Sequence, residues 1–139
     1  LRHANLKDYD SISNMFKKTR KIFPYMREEY ILQKIAEHKV IYQNDVAIIY
    51  NQYKKKTMVG DQTAVKGDWV LQEIVKDDNG NATKTFDNFL KCIDTTLWLK
   101  VLADNIRAQK FYEKFGMKEV GKVEWSNNTI KGKVYKYKP

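Results

Sequence analysis

Residues 97–116 limit the fold of this chain more than any other stretch. They open with Leu97–Leu102, an apolar run of strand-forming residues that is too short for a buried helix. Asn105 follows where a helix would begin, because an asparagine side chain caps the first turn, and Gly116 lies where a helix would end. The stretch therefore predicts a strand and then a helix over about residues 106–115, as in a mixed α/β fold.

The remaining segments alternate between helical and strand patterns, so antiparallel hairpins precede a β-α-β-α unit. Asn44-Asp45 is a turn signal between two strands, and residues 77–81 form the strongest loop signal. The predicted elements are a strand at 1–4, a helix from about 8 that ends before Pro24, a helix at 27–38, strands at 40–42, 46–50, 57–59 and 68–76, a helix at 82–93, a strand at 97–102, a helix at 106–115, and strands at 118–125 and 131–137.

Composition narrows the class of protein. The 139 residues fit a single domain over 1–139. Cys92 is the only cysteine, which excludes an intramolecular disulfide and suits a reducing, cytoplasmic location. With two histidines we expect no metal centre, and without an apolar run of about 20 residues we expect no membrane partner. The net charge of +9 favours polyanionic partners such as nucleic acid or a phosphorylated cofactor.

Residues 97–121 resemble the C-terminal half of the GCN5-related N-acetyltransferases, the GNAT superfamily. The matching residues, in order and spacing, are Val101, Asn105, Ala108, Phe111, Tyr112, Glu113, Lys114, Gly116, Met117, Val120 and Gly121. The resemblance implies an α/β fold with a mixed, mostly antiparallel central sheet, a splayed parallel strand pair and helices on both faces. It also implies acetyl-CoA as the acyl-donor co-substrate.

The helix of this segment carries the first group of candidate site residues. Asn105 is expected to cap the helix, and the resemblance implies that it also faces the pantetheine arm of acetyl-CoA. The resemblance makes Tyr112 the general acid that returns a proton to the leaving thiolate. Ala108, Phe111 and Phe115 share a helical face, and we expect the two phenylalanines in the core.

GNAT proteins bind the cofactor pyrophosphate in a loop that precedes a helix, and residues 77–82 stand at the matching place. Such a loop needs free backbone amides, with glycine where a side chain would block the ligand. Gly80 and Ala82 fit the family pattern, whereas Asp77 stands where glutamine or arginine is expected. We therefore expect Gly80→Val to weaken cofactor binding with little change in melting temperature. The same residues also fit an ordinary tight turn.

The strand before this loop is the second candidate group. Its backbone would pair with the pantetheine amides and face the thioester oxygen. Glu73 is the acidic residue of the strand and is either a general base or a solvated side chain. The cofactor-binding candidates are Leu71, Ile74, Val75, Asn79, Gly80, Asn81, Ala82, Thr83, Lys84, Asn105, Ala108 and Phe111.

The resemblance implies an acetyl-CoA-dependent N-acyltransferase, in which the acceptor amine attacks the thioester directly in a ternary complex. Two alternatives stay open. The first is a GNAT-fold protein that modifies nucleic acid, either phage DNA bases or aminoacyl-tRNA, which the net charge favours. The second is a non-catalytic GNAT-fold binding module, which Asp77 favours. A homodimer is also left open.

Overall fold

A computed structural model describes residues 1–19 and 28–139. The helices in these ranges are α1 (Tyr9–Lys18), α2 (Glu28–Ala36), α3 (Ala82–Leu90) and α4 (Ile106–Lys114). The strands are β1 (Val40–Gln43), β2 (Val46–Gln52), β3 (Thr57–Val59), β4 (Gln62–Ala64), β5 (Trp69–Lys76), β6 (Leu97–Leu102), β7 (Lys118–Trp125) and β8 (Ile130–Tyr137). No helix among the described residues is long and apolar enough to span a bilayer.

The strands form a six-stranded sheet in the order β1-β2-β5-β6-β8-β7 and a separate β3-β4 hairpin. β5 and β6 pair in parallel, whereas β1–β2, β6–β8 and β7–β8 pair antiparallel. The predicted mixed α/β class, with a mostly antiparallel sheet and one parallel pair, is therefore confirmed. Asn44 and Asp45 join β1 to β2 with φ of 54° and 55°, the left-handed conformation that a tight type I′ hairpin turn requires.

The contacts divide the chain into two compact units, each built from two pieces of sequence. The first unit comprises Leu1–Tyr50 and Gln72–Cys92, and the second comprises Asn51–Leu71 and Ile93–Pro139. The single domain over 1–139 stays a prediction. The core of the first unit is formed by Ala4, Ile12, Met15, Phe16, Ile31, Ile35, Val40, Ala47, Ile49 and Val75.

In the second unit, the β3-β4 hairpin packs on the sheet. Val59 and Ala64 of the hairpin form a buried cluster with Trp98 and Val134. The hairpin turn is fixed to β7 by Asp61, whose backbone N–H donates to the Lys122 carbonyl at 3.0 Å and whose Oδ1 accepts the Lys122 N–H at 2.9 Å.

The observed elements differ from the predicted ones most clearly in three places. Residues 1–4 form only an isolated bridge between His3 and Ile41, because a 3₁₀ turn capped by Asn5 begins at Leu6. β4 was not predicted, since Gln62–Ala64 is too short to show a strand pattern. α3 ends at Leu90 and not at residue 93. Pro24 and Arg27 lie outside the described residues.

Candidate active site

The candidate residues are distributed over both units. The first unit holds Glu73, Ile74, Val75 and the segment from Asn79 to Lys84, which cover the end of β5, the loop and the start of α3. The second unit holds Leu71, which is the last residue of its first segment, and the candidate residues of α4 together with the N-cap of that helix. The α4 group is Asn105, Ala108, Phe111 and Tyr112.

The parallel ladder between β5 and β6 is short. It contains the pairs Trp69–Leu97 and Val70–Trp98, although β5 continues to Lys76. Leu71 and Val75 are buried, whereas Ile74 is half-buried. Beyond Val70, β5 is therefore an extended strand without further pairs in this ladder.

The loop after β5 is held by its own side chains and by α1. Asp77 Oδ1 accepts the Asp78 backbone N–H at 3.0 Å and the Lys18 ammonium at 2.9 Å. The hydrogen bond from Lys18 lowers the pKa of the Asp77 carboxyl, with a further contribution from the Asp78 N–H. Asp77 is therefore a paired residue that shapes the loop, and not an isolated negative charge.

The β1-β2 turn braces the same loop. The Asp77 N–H donates to the Asp45 carbonyl at 2.9 Å, and the Asn81 N–H donates to the Asn44 carbonyl at 3.0 Å. Asn44 Nδ2 also donates to Thr85 Oγ1 at 3.1 Å, and the Thr85 hydroxyl, which is fully buried, donates to the Gln43 carbonyl at 3.2 Å. These contacts fix the start of α3 on the hairpin.

Gly80 is required by this packing. A Cβ atom at Gly80 would lie 2.5 Å from the Asp45 carbonyl oxygen and 3.0 Å from that of Asp77. The expectation that Gly80→Val leaves the melting temperature nearly unchanged is therefore wrong, because the added side chain collides with backbone atoms. The Gly80 N–H is also engaged, since it donates to the Asp77 carbonyl at 2.8 Å.

The first turn of α3 provides further backbone N–H donors, in addition to the loop amides that are already hydrogen-bonded. Asn81 caps the helix, because its side chain accepts the Lys84 N–H at 3.0 Å. Ala82 and Thr83 are the first two helical residues, and amides at these positions have no acceptor within their own helix. Thr83 and the Lys84 side chain are exposed. This turn combines free N–H groups with the positive end of the helix dipole, which suits an anion.

Glu73 has an unusual environment for a strand carboxylate. It is half-buried, and burial raises the pKa of its carboxyl to about 7. Tyr30 of α2 lies nearby: burial and the Glu73 charge raise its pKa to about 12, and its hydroxyl donates to Gln72 Oε1. Glu73 can therefore take up and release a proton near neutral pH.

Polar side chains fix the start of α4. Asn105 is the N-cap, as predicted, with Oδ1 accepting the Ala108 N–H at 3.2 Å. Gln109, which is 4% exposed, donates from Nε2 to the carbonyls of Leu102 and Ala103 at 3.0 Å each. These bonds tie α4 to the end of β6.

The buried side of α4 differs from the prediction. Gln109 and Tyr112 are the buried residues of the helix. Phe111 and Phe115 are half-buried, with ring centroids 5.1 Å apart and ring planes inclined by 57°. The prediction that Phe111 and Phe115 are core residues was therefore wrong. Gln109 can be buried because its side-chain amide donates hydrogen bonds to two backbone carbonyls. Tyr112 is 9% exposed and Ala108 is half-buried.

The orientation of α4 is also fixed from β8. The hydroxyl of Tyr135, which is fully buried, donates to Glu113 Oε2 at 2.6 Å. Burial and the hydrogen bond to the Glu113 carboxylate raise the pKa of Tyr135. Because Glu113 follows Tyr112 directly, this bond restricts rotation of the helix at the position of the candidate acid.

Sequence reasoning missed the hydrogen bonds that Lys18, the Asn44 side chain, Gln109 and Tyr135 form. Only Gln109 had a local signal, because it lies four residues after Asn105 and three before Tyr112, on the same helical face. The others act through partners that are distant in sequence.

No protein-family model and no curated protein matches the sequence. Solved structures do match over nearly the whole chain. A GNAT-family acetyltransferase from Bacillus cereus ATCC 10987 has a TM-score of 0.71 at 18% identity and covers 98% of this chain and 94% of its own. A probable acetyltransferase from Staphylococcus epidermidis ATCC 12228 has a TM-score of 0.72 at 15% identity, with 99% and 96% covered. NAA60 of Arabidopsis thaliana in complex with acetyl-CoA has a TM-score of 0.65 at 14% identity, with 99% and 98% covered.

The element order, the parallel pair in a mostly antiparallel sheet and these similarities agree. The chain has the fold of the GNAT superfamily, which confirms the resemblance at the level of fold.

Proposed function

We propose that this chain is an acetyl-CoA-dependent N-acyltransferase. The observation that carries the proposal is the extended part of β5 after Val70, which is followed by the loop at 77–81 and the first turn of α3. An unpaired strand edge offers the alternating donors and acceptors that pantetheine amides require, and a helix N-terminus suits a pyrophosphate. The acetyl-CoA complex of NAA60, which shares the fold, supports this choice of co-substrate.

The residues of the loop fit a pyrophosphate only in part. The amides of Asp77, Asp78, Gly80 and Asn81 are already used in hydrogen bonds to Asp45, Asp77 and Asn44. The proposed phosphate ligands are therefore the amides of Ala82 and Thr83, with Asn79 before them and the Lys84 ammonium beside them.

In the proposed reaction, a neutral acceptor amine attacks the thioester carbonyl. A C–N bond forms, the C–S bond breaks, and the amine proton passes to Glu73, directly or through water. Tyr112 donates its phenolic proton to the departing thiolate, and both side chains are restored by exchange with solvent. The pKa of about 7 for Glu73 suits a base that works near neutral pH.

Isothermal titration with acetyl-CoA tests this proposal in the wild type and in Ala82→Pro. Proline is accepted at the first helical position and removes its N–H, so the fold should be retained while one phosphate donor is lost. We expect binding to weaken by about tenfold, as for a hydrogen bond to a charged group. The matched control is Ile106→Pro at the start of α4, where the N–H already donates to the Asp104 carbonyl at 3.0 Å.

The engaged loop amides favour one alternative, a GNAT-fold binding module without catalysis. Acetyl-CoA binding without acyl transfer to any amine would support the module. Absence of acetyl-CoA binding would contradict the proposed enzyme.

A further inference from the structure

Helix α4 carries three cations on one face. Because an α-helix has about 3.6 residues per turn, Arg107, Lys110 and Lys114 lie within a sector of about 60° around its axis. All three residues are exposed, and none of them forms an ion pair with a residue of 1–19 or 28–139. The buried residues Gln109 and Tyr112 lie on the opposite side of the helix. We call the sector of the three cations the basic face of α4.

The carboxylates that could neutralise this face are engaged elsewhere or lie outside the helix. Glu113 is the acidic residue of α4, and its Oε2 accepts the Tyr135 hydroxyl at 2.6 Å. Glu119, the cross-strand partner of Tyr135, forms an ion pair with Lys133 at 3.0 Å. Asp104 precedes the helix and forms no ion pair with a described residue. The basic face therefore keeps its positive charge.

Lysines of the other helices form ion pairs with carboxylates. The pairs are Lys18–Asp77 at 2.9 Å for α1, Lys34–Glu37 at 3.3 Å for α2 and Lys91–Asp87 at 3.2 Å for the C-cap of α3. In α4, Arg107 is instead the second helical residue, where the positive end of the helix dipole disfavours a cation. Lys110 and Lys114 are four residues apart and repel each other. A bound anion would offset both effects.

The spacing of the basic face matches the phosphates of a nucleic acid. From Arg107 to Lys114 the helix rises by about 10 Å, at about 1.5 Å per residue. One strand of B-DNA carries a phosphate roughly every 3.4 Å of axial rise, so the row spans about three phosphates. The second unit, which contains α4, has 14 lysine and arginine residues against 7 aspartate and glutamate residues. Its own charge therefore favours a polyanionic partner.

The apolar neighbours of the basic face favour a duplex over a single strand. They are Ile106, which is 51% exposed, and Phe111, which is half-buried with its ring centroid 5.1 Å from that of Phe115. A site for single strands uses aromatic rings on which bases stack, and α4, which the structure describes in full, has no exposed aromatic residue. A membrane surface would require a broad apolar face, whereas Ile106 is the one large apolar residue that α4 exposes.

We infer that the basic face of α4 binds the phosphate backbone of duplex DNA, with Arg107, Lys110 and Lys114 on successive phosphates of one strand. This inference goes beyond the proposed acetyl transfer and does not rest on it, because it needs neither acetyl-CoA nor Tyr112.

The test is fluorescence anisotropy with a labelled DNA duplex of about 20 base pairs, or two helical turns, at roughly 50 to 200 mM salt. We expect the triple variant Arg107→Gln/Lys110→Gln/Lys114→Gln to bind more than about tenfold more weakly. The slope of log affinity against log salt should fall by about 2.7 in this variant and by about 0.9 in Lys110→Gln, because each phosphate contact contributes about 0.9. Lys110→Arg/Lys114→Arg keeps the charge and should bind like the wild type.

The matched control is Lys54→Gln/Lys55→Gln/Lys56→Gln, which removes three exposed positive charges from a loop of the same unit. Unchanged affinity in this control, with retained melting curves in all variants, would support the basic face of α4. Equal weakening in both triple variants would overturn it in favour of a general charge effect. Tighter binding of the separated strands than of the duplex would overturn it too. Absence of DNA binding with capture by phosphatidylserine vesicles would assign the surface to lipid.

Discussion

Helices α3 and α4 begin in the same way and offer different chemistry. Each starts on an asparagine cap, with Asn81 accepting the Lys84 N–H at 3.0 Å and Asn105 accepting the Ala108 N–H at 3.2 Å. α3 is reached through a loop that the β1-β2 turn holds by backbone hydrogen bonds. α4 follows β6 almost directly and is tied to it by Gln109.

The two helix starts differ in the groups that they leave available for a ligand. At α3 most backbone N–H groups of the preceding loop already donate to acceptors in the loop and in the β1-β2 turn. The groups left for a ligand are therefore mainly the backbone N–H groups of the first helical turn. At α4 the buried residues are Gln109, which is bonded to the end of β6, and Tyr112, the candidate acid. We therefore propose anion binding at the start of α3 and proton transfer by Tyr112 of α4.

The largest expected effect is at Tyr112. Tyr112→Phe removes the phenolic proton and keeps the ring, so turnover with an acceptor amine should fall by about 10²- to 10⁴-fold. Acetyl-CoA affinity should stay nearly constant, and the free energy of unfolding should change by under about 1 kcal/mol. Steady-state kinetics and calorimetry measure the three quantities. Tyr137→Phe, the same change on a half-buried strand tyrosine, is the control, and retained turnover in Tyr112→Phe would assign proton return to water.

The elements within residues 97–116 could be predicted because their sequence signals are local. The apolar run of β6, the cap at Asn105 and the end of α4 before Gly116 all lie within residues 97–116. Which face of α4 is buried could not be predicted, because hydrophobicity favours Phe111 and Phe115. The burial of Gln109 depends on the carbonyls of Leu102 and Ala103, which only the turn after β6 brings within reach.

The second effect concerns stability at the start of α3. Gly80→Val should lower the free energy of unfolding by about 1–3 kcal/mol, because the new side chain collides with the Asp45 carbonyl. Denaturant unfolding measures this change. Asn79→Val is the control, since Asn79 is exposed in the same loop. Equal stability of Gly80→Val and wild type would show that the loop is not braced by the β1-β2 turn.

The third effect is the pH dependence of the proposed base. With a pKa of about 7 for Glu73, kcat/KM should rise with pH and be about tenfold below its plateau one pH unit under that pKa. Glu73→Gln should abolish this limb of the profile. A pH profile of the variant that keeps the same limb would exclude Glu73 as the base.

The contribution of Glu73 to the free energy of unfolding should fall as pH rises, in contrast to kcat/KM, which should rise. The pKa of Glu73 is raised in the folded state, so between the unfolded value near 4.5 and about 7 the folded chain binds more protons than the unfolded chain. The contribution of Glu73 to stability is therefore largest at low pH and decreases as pH rises through this window. Glu73→Gln should flatten that part of the stability curve in denaturant titrations.

The smallest expected effect is the loss of stability when either helix N-cap is removed. Asn81→Ala and Asn105→Ala should each cost about 1 kcal/mol of stability, because each removes one side-chain acceptor from a first turn. We expect only Asn105→Ala to reduce kcat as well, since its helix carries Tyr112. Thermal unfolding and steady-state kinetics of the pair measure both quantities, and equal kinetic losses would contradict the division of work between α3 and α4.

The parts of the site that sequence could not predict are its long-range contacts. The loop was identified from Gly80 and Ala82, but Asp77 was interpreted only as a departure from the family pattern, because its partner, Lys18, lies on α1. Likewise, the Asn44–Thr85 bond joins the β1-β2 turn to α3 across a gap that no local pattern bridges.

A crystal structure with acetyl-CoA would locate the cofactor. We expect the pyrophosphate on the backbone amides of Ala82 and Thr83, and main-chain hydrogen bonds between pantetheine and β5 after Val70. A cofactor bound away from both segments, or no cofactor at saturating acetyl-CoA, would contradict this proposed cofactor site.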